Sequence, residues 1–177
     1  MKNYMYTAIV LIVMLFLVAC QHSKTVDDSD LVIKELVHEY TIGEFDPDNI
    51  SASINSHQLI VQENDDEKIY DLPEDEFFVS IAPFISETHE CAIHSLTSCQ
   101  GELVEETFHV TVKAEDGDAI VDEEMKTFAN GFIDLWLPRD EYLTVTIEQD
   151  GKVAESIIST FEGDDTCITT MQLKNKS

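Results

Sequence analysis

Hydrophobic and polar positions fall into three regimes along this chain. An unbroken apolar run, Ala8 to Ala19, comes first. Then Leu31, Val32, Leu36, Val37 and Tyr40 form a stripe at helical spacing, preceded by Asp27, Asp28, Ser29 and Asp30, whose oxygens and charge suit a helix start. The pattern predicts a helix over 27–40, ended by Gly43 and Pro47, and a second short helix over 47–56 with proline in its first turn. From His57 onward the period shortens to two. Strands are expected at 58–61, 68–72, 77–84, 107–113, 119–126, 132–137, 142–148, 152–158 and 167–173. Turn signals separate many of them, with Gln149-Asp150-Gly151 the strongest hairpin mark. Residues 85–106 show no alternation and read as a long tethered loop. The expected fold is α+β and mostly β. A short N-terminal helical segment, 27–56, leads into an antiparallel sandwich-like or barrel-like domain, 57–177, that carries the Cys/His loop.

The first apolar run is 12 residues long, whereas a membrane-crossing helix needs about 20. It follows one positive charge, Lys2, and ends Leu17-Val18-Ala19-Cys20, which resembles a bacterial lipobox. Residues 1–20 are therefore expected to be a lipoprotein signal peptide, cut before a lipidated Cys20, with 21–26 a polar tether. The remainder would lie outside the cytoplasm, lipid-anchored at the cell membrane, where disulfides are permitted.

Charge narrows the partners. Thirty-six acidic residues face ten basic ones, a net charge of −26. Such a polyanion repels nucleic acid and anionic headgroups, so no nucleic acid is expected and membrane contact runs through the lipid anchor alone. The acids are interleaved with Ile, Val, Phe and Leu, which argues against a disordered chain. No nucleophile elbow, phosphate loop, zinc-protease motif or dinucleotide fingerprint is present, so no catalytic residue is assigned.

The cysteines carry the chemistry. Cys91, Cys99 and Cys167 make an odd set outside the cytoplasm, so one is free, bound to metal or joined to another molecule; a homodimer fits the last case. Eight residues on a helix would place Cys91 and Cys99 about 12 Å apart in rise, so a shared site requires the segment to loop back. Ser95, Thr97, Ser98 and Gly101 suit such a loop. If the start of the last strand brings Cys167 alongside, three thiolates, or two with His94, make a soft site suited to Cu(I). His94 is preferred to His89 because it lies inside the Cys-to-Cys span; His22, His38, His57 and His109 read as solvated. The competing reading is a structural disulfide, Cys91–Cys99 or Cys99–Cys167, stapling an envelope interaction module without metal. Acidic turns at 63–67 and 115–118 lack the ligand spacing of a calcium loop.

Several stretches resemble one family in the right order: Phe78-Val79-Ser80-Ile81-Ala82-Pro83, Thr88-His89-Glu90-Cys91, His94 through Leu103, Gly131 through Arg139, and Asp165-Thr166-Cys167-Ile168-Thr169-Thr170. They look like CueP, the bacterial extracytoplasmic copper-binding family, over roughly Leu72 to Leu173. The resemblance places the family's three copper-associated cysteines on Cys91, Cys99 and Cys167. It implies copper resistance, thiol-dependent reduction of Cu(II), and transfer of copper to an envelope acceptor, in better-known members a periplasmic superoxide dismutase. Those members are soluble in the periplasm, whereas this chain has a lipobox.

Overall fold

The computed structural model describes residues 28–46 and 48–176. The expected signal peptide, Cys20, His22 and the tether lie outside the described residues. Helix α1 spans Asp28–Ile42. Among the described residues twelve strands follow: β1 Ile50–Ile54, β2 Gln58–Glu63, β3 Asp66–Asp71, β4 Glu76–Ile81, β5 His94–Ser95, β6 Thr107–Lys113, β7 Ala119–Lys126, β8 Ile133–Pro138, β9 Tyr142–Gln149, β10 Lys152–Ser159, β11 Cys167–Ile168 and β12 Lys174–Asn175. They form three sheets, ordered β3-β2-β1-β5, β12-β10-β9-β6-β7 and β11-β4-β8. Among the described residues, one helix before many mostly antiparallel strands is the α+β, mainly β architecture the alternation predicts.

The second helix is a correction. Ile50–Ile54 is strand β1, antiparallel to β2 with Ala52 opposite Val61. Ala52 and Ile54 are buried and alternate with the polar Ser51 and Ser53. Their two-residue period, once Leu59 and Val61 supply a covered face, prevails over the helix-start signal of a proline.

The three-stranded sheet is the middle layer, and β4 explains why. Its run Phe77-Phe78-Val79-Ser80-Ile81-Ala82 is buried on both faces. Phe77, Val79 and Ile81 pack with Leu135 and Leu137 of β8 against Val110, Val112, Val145 and Ile147 of the five-stranded sheet. Phe78, on the other face, packs with Trp136 against Ile33 and Val37 of α1 and Leu59 and Val61 of β2. Each such large apolar side chain stabilises the fold by about 1.5–3 kcal/mol relative to exposure. The β9–β10 hairpin turns on Asp150 and Gly151, both at positive φ (48° and 76°), as the Asp-Gly signal requires of a type I′ turn.

Ser80 is the polar interruption on the second face. It stands level with Cys167 of β11, paired in parallel, and with Asp134 of β8, paired antiparallel. Side chains at directly opposed positions share a face. This row therefore puts Cys167 on the face turned toward α1 and the loop, with Ala82 and Phe132 beside it. The parallel β11–β4 pair sets the depth of the site.

Candidate metal centre

The segment from Cys91 to Cys99 folds back on itself. Ser98 and Cys99 donate their N–H groups to the Ser95 carbonyl at 3.4 and 3.1 Å, and the Ser95 and Ser98 hydroxyls lie 2.6 Å apart. Hydroxyl side chains that bond locally make this turn, as the composition suggested. Upstream, the Ala92 carbonyl accepts from Thr166 and Cys167 at 2.9 and 3.1 Å, so the residue after Cys91 is fastened to the start of β11. His94 and Ser95 form the two-residue strand β5, with His94 opposite Ile54. Thr166 joins the elements: its hydroxyl accepts from the His94 N–H (3.1 Å) and donates to the Ile54 carbonyl (2.6 Å).

These contacts bring all four sequence-assigned residues together. One ligand atom each from Cys91, His94, Cys99 and Cys167 lies within 4.8 Å of the others. Cys91 and Cys167 are joined as a disulfide, their Cα atoms 5.6 Å apart, and Cys99 is a free thiol. This pairing is neither of the two expected from spacing, because β11 runs beside the loop start while the Ser95 turn holds Cys99 one step away. The Cys99 sulfur is still only 3.7 Å from that of Cys91. His94 Nδ1 stands 3.4 Å from the Cys167 sulfur.

The centre has an inner and an outer half. His94 and Cys167 are buried, whereas Cys91 and Cys99 are half-exposed. The His94 ring packs 4.6 Å from the Phe132 ring and 6.4 Å from Phe78, centroid to centroid. Burial, and secondarily the charge of His89, pushes its pKa down to about 4. The imidazole is thus neutral at ordinary pH and offers a lone pair, the form that binds metals. Its Nε2 is buried with no hydrogen-bond partner among the described residues. In neutral imidazole one nitrogen carries the proton and the other is an acceptor, so a proton on Nε2 frees Nδ1 for the sulfur cluster. Sulfur and imidazole donors at this spacing fit a soft monovalent metal better than a hard cation.

The other described histidines lie outside this cluster. His89 is exposed, its ring 6.4 Å from Phe132. His38 is exposed against Phe128, His57 lies 3.5 Å from Glu162, and His109 lies between Asp122 and Glu124 on the five-stranded sheet. Two contributors escaped sequence reasoning. Thr166 has no ligand chemistry of its own to mark it in the sequence. Phe132 is a core residue whose ring also packs against His94. The motif Asp165-Thr166-Cys167 was the available signal for the first.

The family model described as periplasmic copper-binding protein CueP matches residues 32–172. The crystal structure of S.CueP superposes with a TM-score of 0.76 at 35% sequence identity, covering 80% of this chain and 88% of that one. No curated protein matches. With that match running from within α1 to beyond β11, and with three cysteines and a histidine converging where the sequence placed them, the chain belongs to the CueP family of periplasmic copper-binding proteins.

Proposed function

We propose that the chain holds Cu(I) outside the cytoplasm through Cys91, Cys99 and Cys167, with His94 as an auxiliary nitrogen ligand. The supporting observation is the convergence of four soft or borderline donors, all within 4.8 Å of one another, from the loop and from β11. With the disulfide open, three thiols are available; closed, Cys99 and His94 remain. The same sulfurs support reduction. When the Cys91 and Cys167 thiols join, they release two protons and two electrons, and two Cu(II) ions become two Cu(I). Thiol access and thiolate fraction set the rate. The half-exposed Cys91 and Cys99 are where an acceptor protein in the envelope would reach the metal. The lipobox-like leader would keep this exchange at the membrane face.

Chelator competition for Cu(I) on reduced protein tests the site. Serine at any one of Cys91, Cys99 or Cys167 is expected to weaken retention sharply, and unchanged retention in all three variants would refute it. The Cys91–Cys167 bond itself favours a second reading, a disulfide-stapled interaction module that takes no metal. That module would keep its disulfide in mild reductant and take up no copper.

A further inference from the structure

We propose that Glu102 is a positioning residue for the copper centre, fixing the distance between the Cys91 and Cys99 arms. The inference rests on the cysteine reading above and concerns how that site is held in register.

Each arm has its own anchorage. The Cys91 arm is laced to the chain around Cys167. The Thr88 hydroxyl donates to the Thr169 carbonyl and the Thr169 hydroxyl to the His89 carbonyl, both at 2.6 Å. Phe84 exchanges backbone bonds with Met171 and Leu173 at 3.1 and 2.8 Å. The Cys99 arm is fastened to the turn before β8 instead. Gly101 donates to the Asn130 carbonyl at 2.7 Å, and the Thr127 hydroxyl donates to the Leu103 carbonyl at 2.7 Å. The approach is so close that a Cβ on Gly101 would meet the Gly131 carbonyl oxygen at 2.7 Å. The disulfide adds a tie from Cys91 to Cys167 but leaves Cys99 outside it.

Glu102 spans the gap. Its Oε2 accepts from the Ile85 N–H at 2.6 Å and from Ser86 at 3.0 Å, with Oε1 3.2 Å from the same Ser86 nitrogen. The N–H groups of Ser86 above all, then Ile85 and Glu87, hold the carboxyl below its usual range against the opposing effect of desolvation. A carboxylate gripping successive backbone donors makes charge-assisted bonds, roughly twice as strong as neutral ones. It lies three residues after Cys99 and grips the chain a few residues before Cys91, so its bonds link the two sulfur-bearing arms. The side chain is exposed, which separates this role from core packing.

The test is Cu(I) competition on the fully reduced full chain, with thermal unfolding of the same metal-free samples. Glu102→Ala is expected to weaken retention about tenfold at unchanged stoichiometry. Glu102→Gln, which keeps an acceptor oxygen, should recover most of the loss. Should the alanine variant fail to fold, Glu102→Asp carries the test: it keeps the charge but withdraws the oxygens by one methylene, and should match the expected loss. Retention equal to wild type in a folded Ala or Asp variant overturns this inference and leaves the cysteine site standing. Copper lost equally by wild type overturns both.

Discussion

Asp134 and His94 face the same interior from opposite sides of the charge balance. Both are pushed toward the neutral form by burial: His94 down to about 4, Asp134 upward. Asp134 accepts hydrogen bonds from the hydroxyls of Ser80 (2.6 Å) and Thr41 (2.8 Å), which together with the charge of His38 pull its pKa back without cancelling the effect of burial. A carboxyl whose folded pKa is raised contributes stability below its unfolded value, near 3.8, and loses it as pH rises through the folded value. Asp134→Asn keeps an acceptor for one hydroxyl and a donor for the other, and Thr41 has the Val37 carbonyl at 3.2 Å as a second acceptor. The variant should therefore melt higher than wild type at neutral pH and near wild type at about pH 3. Thermal unfolding against pH checks this, and a lower melting temperature at neutral pH would contradict it.

Among the elements, β11 depends most on one side chain. Thr166, just before it, satisfies the His94 N–H and the Ile54 carbonyl together, so one hydroxyl joins the loop, the first sheet and the middle sheet. Thr166→Val keeps the shape and orphans both buried groups. A loss of about 2–4 kcal/mol in denaturant unfolding is expected, with a disturbed environment at His94 visible by NMR. A loss near zero would show that water or a shifted backbone replaces the hydroxyl. Legibility in the sequence also varied by element. The helix and the longer strands were readable because each has a covered face whose period runs for several residues. β1 was missed because its alternation of small residues, Ser51-Ala52-Ser53, is weak beside the signal of Pro47. β5 was out of reach, since two residues have no period, and its pairing with Ile54 exists only once the loop is folded. The disulfide partner could not be read either: spacing along the chain does not say which sulfur a parallel strand will bring closest.

For the molecule as a whole, the middle sheet does two jobs with one strand. The Phe77 face of β4 closes the larger core, and the Phe78 face, interrupted at Ser80, turns Cys167 toward the loop. That arrangement puts sulfur atoms from positions 91, 99 and 167 into one cluster with a neutral histidine at its floor. It also leaves two of them half-exposed, in a chain whose net charge of −26 favours approach by cations. The cysteine trio was legible before folding, while the depth order of its members was not, because depth follows from the β11–β4 pairing. Copper-edge X-ray absorption on the reduced, Cu(I)-loaded protein tests this account most directly. It predicts a first shell dominated by sulfur that loses sulfur when Cys167 is replaced by serine; a shell of nitrogen and oxygen alone, unchanged by that replacement, would contradict it.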